Sequence, residues 1–167
     1  LGFDGVVKAY AIQAGRELAT SYERLGTVKE EEKALSEAKH LYLQALKLRR
    51  QLCEEAQTGQ IRNELSSTYQ MLQILSDSYK KLYLSCQDKG ELIQAKELCL
   101  QDLDLDRLLY EETGAREAQR ELSVCYTNLG DISQAVNESD AAEDYYRQGF
   151  ELSRQLCEKK GTRQARR

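Results

Sequence analysis

The chain has 167 residues, 41% apolar and 31% charged, with no proline, no tryptophan and a formal net charge of −4. That balance excludes a disordered chain and fits a soluble domain with wet outer faces. Leu, Ala, Glu, Lys, Gln and Arg dominate while Val and Ile are few, which points to an all-α fold.

Six runs at helical spacing follow in chain order. The first passes through Val6, Tyr10, Ala14, Leu18, Tyr22 and Leu25 to about Glu32, with a turn expected over the charged segment 29–33. The second passes through Ala34, Ala38, Tyr42, Ala45 and Leu52 and stops near Gln57-Thr58-Gly59, where Gly59 is expected as a left-handed cap. The third, from Ile61 to Cys86, is long and ends at Asp88-Lys89-Gly90. The fourth runs from Leu92 to Leu109 and stops at Glu112-Thr113-Gly114. The fifth covers Ala118 to Ala135, and Ser139 or Asp140 is expected to cap the sixth. The sixth, from Ala141 to Leu156, is expected to end before Lys159-Lys160-Gly161. Short turns between helices make neighbours antiparallel.

One skeleton occurs three times. Tyr22-x-x-Leu25-Gly26 leads to Ala38, Tyr42 and Ala45; Tyr126-x-x-Leu129-Gly130 leads to Ala142, Tyr146 and Gly149. Between them, Tyr79-x-x-Leu82 leads to Ala95 and Cys99, with Tyr83 in place of the glycine and Asp102 in place of the second small residue. The aromatic-to-alanine distance is 16 residues in every copy. The middle copy also carries a ten-residue duplication, ELSSTYQMLQ followed by ILSDSYKKLY, which pairs Leu65 with Leu75, Tyr69 with Tyr79 and Leu72 with Leu82.

This skeleton resembles the tetratricopeptide repeat family, in which small residues let two helices approach and aromatics fill the gap to the next hairpin. The resemblance implies an α-solenoid of antiparallel helix hairpins in one domain, with units over 6–59, 60–114 and 115–161. The family's usual period is about 34 residues; here the alanines stand 57 and 47 apart, so the helices are longer. Residues 161–167 echo Gly114–Arg120, and 162–167 read as the start of a further unit or a cap.

Little in the chain carries chemistry. His40, the only histidine, falls on the second helix and reads as a surface residue, and no metal or nucleotide motif is present. The five cysteines lack C-x-x-C spacing, so buried free thiols in a reducing cytosol are expected, with neither disulfides nor a zinc site. Asp102-Leu-Asp104-Leu-Asp106 begins like a calcium loop but has Arg107 and Thr113 where the loop needs Gly and Glu. A solvated helix face is the expectation, although Asp102 stands at a normally small interior position. Asn137-Glu-Ser139 matches a glycosylation acceptor, meaningful only for a secreted chain. The basic tail, Lys159, Lys160, Arg163, Arg166 and Arg167, is too short for a nucleic-acid surface.

In the resembled family, first helices line a concave face that binds peptides. The resemblance places Glu23, Thr27, Lys80, Lys81, Leu84, Thr127, Asn128 and Asp131 there. The family's carboxylate clamp is incomplete, since Leu84 stands where a second Asn is needed. The expectation is a cytoplasmic interaction scaffold holding a peptide or protein segment, with no catalysis, cofactor, nucleic acid or membrane. The alternative is a regulatory or structural segment that packs on a neighbouring domain or self-associates, which an exposed Tyr/Leu-rich patch would favour.

Overall fold

The computed structural model describes residues 2–165, with side chains described through Lys159. Six helices and no strands occur among them: α1 (Phe3–Glu31), α2 (Leu35–Glu55), α3 (Gly59–Asp88), α4 (Leu92–Thr113), α5 (Arg116–Ala135) and α6 (Ser139–Ala165). None is long and apolar enough to cross a membrane.

The turns explain where the helices stop. Lys33 and Asn137 take left-handed backbone, with φ of 61° and 64°, as do Gly90 at 78° and Gly114 at 58°. After Lys33, Gly90 and Asn137 the next N–H turns back onto a carbonyl of the helix, as Glu91 does to Cys86 at 2.9 Å and Glu138 to Ser133 at 2.9 Å, whereas at Gly114 the glycine's own N–H reaches Tyr110 at 2.9 Å. Gly59 is not such a cap. The break falls at extended Ala56, Gly59 opens α3, and Thr58 Oγ1 accepts the Ile61 N–H at 3.2 Å. Ser139 is the first residue of α6 rather than its cap. That helix does not end before Gly161 but continues to Ala165. The further unit or cap expected over 162–167 falls at this edge, and the basic side chains beyond Lys159 lie outside the described residues.

The chain forms two compact units, residues 1–75 and 76–167, where the sequence suggests one domain of three hairpins. The division lies inside α3, two residues past the junction of the ten-residue duplication. The first copy belongs to unit 1, where Leu72 is fully buried and Thr68 bonds Glu23 of α1. The second copy from Ser76 onward belongs to unit 2, where Ser76, Tyr79 and Tyr83 are buried. The extra ten residues, about three helical turns, therefore give one helix enough length to serve two cores.

Within each unit the repeated anchors pack as their sizes require. In unit 1, α1 lies on α2; a Cβ on Gly26 would come within 2.5 Å of the Tyr42 ring. In unit 2, α5 lies on α6 and α4; a Cβ on Gly130 would come within 2.6 Å of the Tyr146 ring. The middle copy exchanges these volumes: Tyr83, at the glycine position, is fully buried, and Cys99 replaces the partner tyrosine. Ala38, Ala95 and Ala142 are buried in all three copies.

Candidate functional site

The helix-facing positions three and four residues from these anchors decide what each unit holds inside. In unit 1 they are charged. Arg49 of α2 is 3% exposed, and its guanidinium grips Glu23 of α1 at 2.8 and 3.2 Å. It also reaches Glu64 of α3 at 2.8 Å and Thr20 at 3.1 Å. Thr68 donates to Glu23 at 2.6 Å, and Arg16 closes the network on Glu64 at 2.5 Å. The Arg16 hydrogen bond holds the Glu64 carboxyl below the usual carboxylate range despite partial burial. Two arginines and two glutamates thus balance in charge and lock α1, α2 and α3 of this unit.

Unit 2 places acids at the equivalent positions. Asp102 stands where the other copies have Ala45 and Gly149, and Asp106 where they have Arg49 and Ser153. They are 1% and 3% exposed, so the expected solvated face is wrong for both; only Asp104 of the alternating trio is exposed. Ser76 Oγ lies 2.5 Å from Asp102 Oδ1 and 2.7 Å from Asp106 Oδ1. A hydroxyl has one proton to donate. It serves one carboxylate, and the other contact closes only when that carboxyl is itself protonated. Burial, reinforced by the Asp106 charge, pushes Asp102 up to about 8; burial raises Asp106 to about 6 against the Ser76 hydrogen bond.

Thiols border the acids. Cys125 of α5, 1% exposed, has its Sγ 3.9 Å from Asp102 Oδ2 and 3.7 Å from the Cys99 carbonyl, and its single proton serves one of the two, while Cys99 donates to the Cys125 carbonyl at 3.9 Å. Its hydrogen bond with Cys99, then burial, raise the Cys125 pKa. The Tyr79 hydroxyl is buried with no partner, an arrangement that costs about 1–3 kcal/mol. Burial and then the Asp102 charge push it up to about 12. Lys80 contributes positive potential from α3 and pairs with Glu121 at 3.4 Å.

The eight residues placed on a peptide-binding face divide between the two units. In unit 1, Glu23 is not available to a ligand, being buried under Arg49 and Thr68, whereas Thr27 is exposed and bonds the Glu23 carbonyl at 3.0 Å. In unit 2, Leu84 is partly buried and packs against the core. Asn128 donates to Tyr83 Oη at 2.9 Å, so it braces α5 on α3. Lys80 is tied to Glu121. Lys81, Thr127 and Asp131 are exposed, and Asp131 accepts a bond from Tyr146 at 2.6 Å. His40 is exposed and lines a surface groove of unit 1 with Leu25, Lys29 and Leu41.

An exposed apolar stripe outside the groove assignment lies on α1. Phe3, Val6, Val7, Tyr10, Leu18, Leu25 and Val28 are 82, 42, 51, 74, 48, 54 and 48% exposed. At 100° per residue they share one stripe with Ala14 and Ser21, away from the buried Ala19, Glu23 and Gly26. The signal was already in the sequence, since α1 carries more apolar residues than one buried face needs.

Residues 123–156, the last two thirds of α5 and the first two thirds of α6, match the family model of the tetratricopeptide repeat. This is the hairpin in which Gly130 and Tyr146 meet, so the resemblance in the third copy holds; such repeats are associated with protein–protein interaction. No curated protein matches the chain. Among solved structures, a chain of the DHF79 filament aligns with a TM-score of 0.48 and 13% identity, over 90% of this chain and 74% of that one. A likeness of that degree says nothing of function or assembly.

Proposed function

We propose that the protein is an interaction scaffold without catalytic activity, and that its principal contact surface is the apolar stripe of α1, occupied by a second copy of the chain. The observation that carries this is the exposure of that stripe. Phe3 and Tyr10 alone leave on the order of 300 Å² in water. The five aliphatic residues, each about half exposed, extend the patch toward the about 800 Å² per partner of a stable interface. From Phe3 to Val28 the stripe is about 37 Å long, so its occupant has to be an equally long apolar helix face.

A second α1 supplies one, and the stripe is symmetric about its midpoint. Antiparallel pairing sets Phe3 opposite Val28, Val7 opposite Leu25, Tyr10 opposite Ser21 and Ala14 opposite Leu18. Such an isologous contact closes after two copies. Sedimentation equilibrium tests it: a concentration-dependent dimer is expected, shifted to monomer by Leu18→Glu. A monomer at every accessible concentration, or a dimer unaffected by that charge, overturns it.

The second reading, a peptide held along unit 2, rests on exposed Lys81, Thr127 and Asp131. Lys81→Glu with Thr127→Ala tests it without touching the bracing residues Lys80 and Asn128. Partners lost by this pair and kept by Leu18→Glu would support it; an unchanged partner set sinks it.

A further inference from the structure

We propose that the buried cluster of unit 2 is a cation site, in which Cys99, Asp102 and Asp106 from one face of α4 and Cys125 from α5 bind a divalent ion of the zinc class. Two thiolates and two carboxylates form a set suited to a borderline-soft, tetrahedral ion. Cys99, Asp102 and Asp106 stand at i, i+3 and i+7, so one helix face presents all three, and Cys125 closes the set from the neighbouring helix. Sites of this kind are built between facing helices of bundles. All four residues are at most 3% exposed.

The spacing is near what an ion requires. One ligand atom each from Asp102, Asp106 and Cys125 lies within 4.8 Å of the others. Cys125 Sγ and Asp102 Oδ2 are 3.9 Å apart. Metal bonds of 2.3 and 2.0 Å at the tetrahedral angle would put those two atoms about 3.5 Å apart. Cys99 Sγ is not within that distance of all three; it faces the Cys125 carbonyl at 3.9 Å, and a change of its side-chain rotamer would bring it in as the fourth ligand.

Two further observations point to a ligand rather than to packing alone. The Tyr79 hydroxyl is 1% exposed with no partner, one turn beyond Ser76 on the same face of α3, and the charge that reaches it is Asp102. In the proposed site this hydroxyl, which bonds nothing among the described residues, would take up an outer oxygen of Asp102 once that carboxylate turns toward the ion, as partners of metal ligands do. The repeat itself supplies the comparison: the equivalent triads are Tyr42, Ala45 and Arg49 in the first copy, and Tyr146, Gly149 and Ser153 in the third. Neither copy has a thiol or a carboxylate at those positions. The repeat's packing therefore does not call for the ligand types, and only the middle copy has them.

Binding would take the two thiol protons and the proton shared by the acids, so affinity should rise with pH. The test is titration of the chelator-stripped full chain with Co²⁺ and Zn²⁺, added both to the folded protein and during refolding from urea. One ion per chain is expected, with the visible and near-ultraviolet bands of a tetrahedral Co²⁺–thiolate centre, displaced by Zn²⁺. Cys99→Ser, Cys125→Ser and Asp102→Asn should abolish the bands, and Tyr79→Phe should weaken binding about tenfold. Cys53→Ser and Cys157→Ser should change nothing. Absence of bands in the unaltered chain under both regimes overturns the proposal, and so do bands that survive Cys125→Ser and vanish with Cys157→Ser.

Discussion

Replacing Arg49 by methionine isolates the energetics of unit 1. The guanidinium makes five contacts to oxygen within 3.5 Å, on Glu23, Glu64, Thr20 and the Arg16 carbonyl. Its side chain is 4% exposed and that of Glu23 8%. Methionine keeps the stem's packing but strands the Glu23 carboxylate on the Thr68 hydroxyl alone. Breaking a buried pair in this way costs about 3–5 kcal/mol. Glu64 loses less, because Arg16 still holds it at 2.5 Å and water reaches it. Total domain stabilities run about 5–15 kcal/mol, so the variant should be severely weakened. With a urea dependence of about 2 kcal/mol per molar, the midpoint should fall by about 2 M. Circular dichroism reads the transition, and hydrogen exchange should place the lost protection in α1, α2 and the first half of α3. The double variant Glu23→Leu with Arg49→Met removes both charges and should recover most of the loss. A midpoint shift below about 0.5 M would put this pair with ordinary surface ion pairs and refute the reasoning, as would a double variant no better than the single.

Three further outcomes are expected. Gly26→Ala and Gly130→Ala both force a Cβ against a tyrosine ring, at an overpacking cost of about 1–3 kcal/mol less the about 1 kcal/mol gained in helix propensity. The Gly26 variant should suffer more in thermal melts, since Tyr42 is 2% exposed and enclosed while the Tyr146 ring has room to swing outward. Glu64, with its pKa lowered by Arg16, contributes stability that is complete above the unfolded carboxylate range and lost as pH falls through the folded value. Urea midpoints should therefore drop on acidification, and Glu64→Gln should flatten that part of the profile; an unchanged profile contradicts the assignment. Asn128→Ala should destabilise unit 2 by about 1–3 kcal/mol through the stranded Tyr83 hydroxyl, and Tyr83→Phe in the same chain should restore part of it.

The helices were legible because period 3.6 is a strong signal and left-handed Gly90 and Gly114 mark two ends plainly. Gly59 opens α3 just after the break at Ala56, and Gly161 lies inside α6, so neither glycine ends a helix. Glycine inside a helix costs only about 1 kcal/mol, and without carbonyls placed to receive the following N–H groups it does not stop one. The hairpin anchors were legible as well, since Gly26 with Tyr42 and Gly130 with Tyr146 follow from size alone.

The site was harder to read because carboxylates default to the surface. Asp102 and Asp106 nonetheless continue the register of Ala95 and Cys99 at i+7 and i+11, which is the buried face of α4. Glu23 and Arg49 likewise stand in the buried register of Ala19 and Tyr42. Residue type outweighed periodicity in the sequence reading, and in both units periodicity decides the outcome. The placement of Glu23 and Leu84 on a ligand-binding face came from the family resemblance, which does not register the charged interior of unit 1 or the apolar stripe of α1.

Cross-linking between copies tests the pairing of α1 most directly. Chains carrying Val7→Cys and chains carrying Leu25→Cys, each with Cys157→Ser to remove the exposed native thiol, are mixed and oxidised. Rapid, high-yield dimers joining position 7 of one copy to position 25 of the other are expected, with little product from either chain alone. Dimers joining 7 to 7 as readily, or a mixture that stays monomeric, would contradict a scaffold that pairs antiparallel through α1.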